Sequence, residues 1–300
     1  MKIILILCLF IYSINACNIL VLSGGGAHGA FEAGVLKKLD MMGKRWDIIT
    51  GISVGSLNGL MLAMYDQTMQ TYALKQLEDM WINLTNEQVY IKNWDPVWDK
   101  SLYNNAPLNN TVYTTIMQNG KTIKREFIIG ATSLNTGELH IFDKHDMTNA
   151  KNILDFVMGS ASIPIYFPPR FFMNNFYLDG GTFSNELVIP AFEYCNKFNK
   201  SISIDVILPA NLIEKIENKV IQDYTIFGMT DRAYNLMSNA LFNHQLYSNC
   251  VGNQTRYPMN IYMPDKPFTG GLMDFEKKYL KYSFDMGYNV TKPLYVDYCI

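Results

Sequence analysis

The sequence predicts an α/β fold: a central sheet covered by helices on both faces. Three observations lead there. Short apolar runs that end in glycine alternate with stretches whose apolar residues recur at helical spacing. The chain has 300 residues, 49% of them hydrophobic and 17% charged, which suits a sizeable buried core and excludes a disordered chain. No internal repeat, charge block or Gly/Ser-rich linker divides it, so one domain over residues 17–300 is expected.

The elements follow in order. Lys2, an apolar run over 3–12 and a small residue at Ala16 predict a secretory signal over 1–16. That run is shorter than the ~20 residues a bilayer span needs, and no later run is long enough, so no transmembrane segment is expected after signal removal. Residues 18–23 read as a buried strand, 24–29 as a glycine turn, and 30–42 as a helix through Phe31, Val35, Leu36 and Leu39, stopped at Gly43. A second strand over 47–50 enters a second glycine turn at 51–55. Helices are expected over 57–64 and 70–81. Residues 86–110 show no period and contain Pro96 and Pro107, which predicts a long irregular loop. Strands over 126–132 and 139–142 flank a turn at 135–137, and a helix covers 150–158. Residues 163–169 are too proline-rich to be regular. A short extended run over 176–178 ends at Asp179. A helix over 191–198 and a strand over 202–208 follow. Residues 211–247 read as mostly helical, broken near Gly228, before a last strand at 261–263 and a last helix over 274–286.

Compartment signals agree with the leader. Asn-X-Ser/Thr sequons occur at Asn83, Asn109, Asn199, Asn253 and Asn289. Beyond the leader, Cys17, Cys195, Cys250 and Cys299 are an even number, open to several disulfide pairings or to buried thiols. A secreted or secretory-lumen glycoprotein is the expectation. Lys plus Arg is 25 and Asp plus Glu is 27, a net charge of −2 without a basic field, so nucleic acid is not an expected partner.

Gly51-Ile52-Ser53-Val54-Gly55 fits G-x-S-x-G, and a strand enters it while a helix leaves. The glycines permit a sharp turn that holds Ser53 at a helix N-terminus, where developing negative charge is favoured. Gly24, Gly25, Gly26, Ala27, His28 and Gly29 form the other strand-to-helix turn, whose bare N–H groups suit a phosphate or an acyl-transfer oxyanion. Gly24, Gly26 and Gly29 also satisfy G-x-G-x-x-G. A dinucleotide site needs an acid at the far end of the next strand, whereas Asp47 precedes it, so that reading fails. A serine nucleophile needs a base. The chain has four histidines, and only His244 lies far enough downstream with an acid between, inside a helical stretch unsuited to a triad loop. A carboxylate base is the better expectation, and Asp179-Gly180-Gly181 offers one. No cluster with metal-ligand spacing is present, so neither metal nor cofactor is expected.

These pieces, in this order, resemble the patatin-like phospholipase family. Thr132 to Glu138 is similar to its strand-turn around Thr-Gly-Glu, and Ser160 to Pro169 to its Ile-Pro…Phe-Pro-Pro segment. The likeness covers about 19–190 and leaves a helical C-terminal part over about 210–300. It implies a three-layer α/β/α sandwich with a mostly parallel sheet. It further implies Ser53 as nucleophile, Asp179 as proton acceptor, and Gly24, Gly25 and Gly26 as the oxyanion hole. His28 stands where the family usually has Arg or Lys, which implies oxyanion binding that varies with pH near ~6.5. The implied reaction is metal-independent hydrolysis of lipid acyl esters, of phospholipids or galactolipids, at a membrane or micelle surface. Burial should raise the Asp179 pKa towards a useful base. Tyr90, Trp94, Trp98 and Tyr103, or the apolar stretch 262–268, are the segments expected to dock or cover the site. Two rivals remain: a catalytically weak storage or lipid-binding protein on this fold, and a His-based α/β-hydrolase using His244.

Overall fold

The computed structural model describes residues 16–198, 201–212, 218–248, 256–290 and 292–299. Residues 1–15 of the expected leader over 1–16, with Asn199, Cys250 and Asn253, lie outside them. Five strands run parallel through the middle of the sheet, in the order β10 (Arg256–Tyr262), β9 (Ile202–Ile207), β1 (Cys17–Leu22), β2 (Ile48–Gly51), β5 (Glu126–Ser133). Antiparallel strands finish both edges. β11 (Leu294–Cys299) pairs with β10, and β8 (Asn175–Asp179) and β7 (Arg170–Phe172) extend the other side, with β6 (Leu139–Phe142) also on β5.

The period-two alternation of β1 builds the layers. Leu20 and Leu22 point into one core with Phe31 of α1 (Gly29–Met41), Leu60 of α2 (Val54–Ala63), Leu77 of α3 (Gln70–Asn83), Phe156 of α6 (Ala150–Ser160) and Phe284 of α10 (Lys277–Asn289). Ile19 and Val21 point the other way, against Val188 and Phe192 of α7 (Val188–Asn196) and Phe242 of α9 (Ile226–Ser248). Burial on both faces explains why these strands are almost uniformly apolar. The α/β/α layering is the one anticipated. A Cys17–Cys195 disulfide, with Cα atoms 5.8 Å apart, ties β1 to α7, and Cys299 is also disulfide-bonded.

Three elements differ from the sequence reading. Residues 86–110 are not one loop. They hold α4 (Asn86–Val89), closed by a Thr85/Gln88 capping box, a two-stranded hairpin of β3 (Ile91–Lys92) and β4 (Tyr103–Asn104), and the start of α5 (Ala106–Gln118). Pro107 does not break α5, because it sits in the first turn, where no backbone donor is needed. Its buried Leu108, Val112 and Ile116 recur every four residues. Gly228 does not break a helix either: it lies in the first turn of α9, after the short α8 (Asn218–Gln222). In the C-terminal part β10 runs back to Arg256 from the strand expected at 261–263, and β11 adds a strand that was not expected; most of β11 is exposed or half-buried and lacks an apolar period.

Candidate active site

β2 delivers the chain into α2 through Ser53, the N-cap of the helix, at φ 53° and ψ −126°. A non-glycine residue held there stores about 1–3 kcal/mol, so the surroundings must enforce it. They do so by close approach. A Cβ on Gly51 would lie 2.3 Å from the Gly55 carbonyl oxygen, and one on Gly55 would lie 2.4 Å from that of Leu22. The Ser53 N–H donates to Ser160 Oγ at 3.1 Å, and Ser56 Oγ donates to the Ser53 carbonyl at 2.6 Å.

Asp179 ends β8 and is fully buried. Its N–H donates to the Ser162 carbonyl at 2.9 Å, and its own carbonyl accepts from Thr132 Oγ1 at 3.1 Å. The segment from Ser160 to Ser162 therefore holds the backbones of both Ser53 and Asp179. Asp179 Oδ1 accepts from the Gly181 N–H at 2.8 Å. By strict distance and angle Oδ2 has no partner, but the Ser53 and Tyr234 hydroxyls face the carboxyl closely enough to act on its charge. Burial pushes its pKa up to about 7, against the downward pull of Ser53, Gly181 and Tyr234. The structure thus brings Ser53 and Asp179 together. His244 is exposed on α9, whereas both of these residues are buried.

The glycine turn passes directly beside Ser53, but its three glycines are not equivalent. The Gly24 N–H, expected as an oxyanion donor, is occupied: it donates to Asn185 Oδ1 at 3.0 Å, while Asn185 Nδ2 donates back to the Gly24 carbonyl at 3.3 Å. Among the described residues the N–H groups of Gly25 and Gly26 donate to nothing. The turn is pinned from the C-terminal part, where the Leu272 carbonyl accepts from the Ala27 N–H at 2.7 Å. Gly26 has φ 55°, and a Cβ there would lie 2.2 Å from Leu272 O. His28 braces the turn from behind. Nε2 donates to the Gly270 carbonyl at 2.8 Å, and the ring stacks on Phe268 at 3.9 Å. Burial lowers its pKa, against the Gly270 carbonyl and Asp231, which favours the uncharged ring. Gly29, Gly180 and Gly181 are buried at the tight junctions around the two turns.

An apolar cleft runs from Ser53 between α2, α3 and α5. Its wall is apolar, with Leu57, Trp81, Val112, Phe167, Met273 and Phe275 prominent. Among the described residues no group of three or more His, Cys, Asp or Glu could hold a metal ion, and no helix is long and apolar enough to cross a membrane. A serine hydroxyl beside a buried carboxyl, at the bottom of an apolar slot and next to two bare N–H groups, has the parts needed for acyl transfer. Sequence reasoning missed Ser160, Asn185 and Tyr234. Ser160 and Asn185 lie in or just beyond motif segments, but Tyr234 carries no local signal at all.

The site's class and the chain's family agree. The chain matches the family model of patatin-like phospholipases over residues 20–192 and belongs to that family. It is 26% identical over 217 residues to a protein of Invertebrate iridescent virus 6 named "probable lipid hydrolase 463L", covering 68% of this chain and 73% of the other. It is 25% identical over 203 residues to a cGAMP-activated phospholipase of Vibrio cholerae, covering 57% of this chain and 55% of the other, and an Escherichia coli protein of the same name matches similarly. The chain spans about half the length of these bacterial relatives. Among solved structures, VipD from Legionella pneumophila aligns with a TM-score of 0.44 and 14% identity, over 92% of this chain and 66% of that one.

These relatives overturn the expectation of a signal-bearing secreted glycoprotein, because the bacterial ones are phospholipases named for activation by a nucleotide. Of the sequon residues, Asn83 and Asn289 are exposed at the ends of α3 and α10, and Asn109 lies half-buried inside α5 with Oδ1 accepting from Arg170.

Proposed function

We propose that the protein hydrolyses acyl esters of phospholipids through a Ser53–Asp179 dyad and an acyl-enzyme, without a metal. Asp179 takes the Ser53 proton as Oγ bonds to the ester carbonyl carbon. The oxyanion that forms accepts from the N–H groups of Gly25 and Gly26, each such donor supplying about 3–4 kcal/mol of transition-state stabilisation. When the intermediate collapses, the C–O bond to the glycerol breaks and the leaving oxygen takes the proton from Asp179. Water then gives a proton to Asp179 and attacks the acyl-serine, and the fatty acid leaves as Ser53 recovers its proton. The observation that carries this reading is the strained Ser53 facing a buried carboxyl at the end of a long apolar slot. A base must be ionised to work, so a carboxyl with a pKa of about 7 predicts activity that falls as pH drops below neutrality.

The lipid surface is met by the β3–β4 hairpin in this reading. Trp94 is 99% exposed and Trp98 81%. The base of the hairpin is bonded to Ile165 and Tyr166, within the segment whose Ile163 and Phe167 line the cavity. The other candidate stretch, 262–268, is otherwise engaged: Tyr262 is buried and Phe268 lies on His28. A fluorophosphonate tests the nucleophile. Intact-mass analysis should give one adduct on the wild type and none on Ser53→Ala; equal labelling of both proteins rejects Ser53.

A further inference from the structure

The family match ends at residue 192, yet α9, well beyond it, reaches the dyad. Two side chains one turn apart on α9 do this, so they share a helix face. Asp231 anchors the helix: Oδ1 accepts from Tyr166 Oη at 2.7 Å, and Oδ2 accepts from the Leu272 N–H at 3.0 Å, beside the carbonyl that pins the glycine turn. Tyr234 follows. A Cβ on Gly181 would meet Tyr234 Oη at 2.1 Å and Asp179 Oδ1 at 3.1 Å, so the phenol and the carboxylate converge on one spot above Gly181. Tyr234 Oη and Asp179 Oδ2 are both buried, and neither makes a well-directed hydrogen bond with any described group, so two unpartnered polar atoms lie in one place. Tyr234 does not line the acyl cavity.

We propose that Tyr234 is a positioning residue whose hydroxyl holds Asp179 as an oriented, ionised base at neutral pH. This rests on the dyad reading above. A donor to a carboxylate favours its charged form. The other groups around Asp179 cannot replace it. The Ser53 hydroxyl gives up its own proton in the reaction, the Gly181 N–H serves Oδ1, and Asn185 is occupied by Gly24. Burial pushes the Glu186 carboxyl up to about 8 against the Ser23 hydroxyl, which favours its uncharged form, and a carboxyl supplies no positive charge to hold Asp179 ionised. The carboxylate in turn raises the Tyr234 pKa, after burial itself, so the phenol remains a donor throughout the working range.

Turnover of a soluble short-chain acyl ester by the full chain, measured from pH 5 to 9, tests the assignment in wild type, Tyr234→Phe and Ser53→Ala. Losing one donor should move the acidic limb of kcat/KM of Tyr234→Phe up by about one pH unit. That is a loss of roughly fivefold at pH 7 which disappears by pH 9, with KM unchanged. A limb that stays in place, a loss equal at every pH, or a gain in rate overturns the assignment. An active Ser53→Ala would instead reject the underlying dyad, so the two failures are told apart. Thermal unfolding of Tyr234→Phe in parallel identifies a loss that comes from the fold, which would appear as the pH-independent outcome.

Discussion

At the residue scale the site is built by close approach. Gly55 lets the elbow lie against β1, and Gly55→Ala would force a Cβ onto the backbone oxygen of Leu22. Backbone cannot swing aside as a side chain can, so Gly55→Ala should cost about 1–3 kcal/mol, read from urea midpoints, and should abolish labelling of Ser53. A variant with the wild-type midpoint and full labelling would show that the elbow tolerates a Cβ. The positions of Ser53 and Asp179 were legible because five letters sat between a strand and a helix, and because scarce histidine pointed to a carboxylate. The occupancy of Gly24 was not legible. It depends on Asn185, which lies far along the chain and is brought in only by the turn after Asp179. The environment of His28 was hidden for a similar reason, since Phe268 and Gly270, which stack on it and accept from it, lie far along the chain.

At the element scale the β3–β4 hairpin and α5 work together. α5 forms one wall of the acyl slot through Leu108 and Val112, and the hairpin carries exposed aromatics on a base bonded to Ile165 and Tyr166. Trp94→Ala with Trp98→Ala should lower partitioning onto phosphatidylcholine vesicles about tenfold while leaving turnover of a soluble ester unchanged. Unchanged partitioning in a sedimentation assay would remove the hairpin from the account. The sequence marked this region by its aromatics but hid its structure. Two prolines read as breakers, although one of them starts a helix, and two-residue strands are too short to leave a period. The edge strands β7 and β11 escaped notice for the same reason: half-exposed strands lack the continuous apolar run that announces a central one.

At the scale of the whole molecule the architecture was readable because its central strands are buried on both faces and alternate with amphipathic helices. The integration of its two ends was not readable. The last third supplies the Leu272 and Gly270 carbonyls that hold the glycine turn, Met273 and Phe275 in the slot, and Tyr234 at the dyad. None of these follows from local pattern, because each is a contact across more than 200 residues or across a helix face that only the fold defines. The central claim is that this assembled centre cleaves lipid esters with Asp179, and not a histidine, as base. Fatty-acid release from phosphatidylcholine vesicles by wild type, Ser53→Ala, Asp179→Asn and His244→Ala tests it most directly. Release is expected from wild type and His244→Ala, with losses on the order of 10³-fold in Ser53→Ala and Asp179→Asn. Release retained by Asp179→Asn, or lost in His244→Ala, would contradict it.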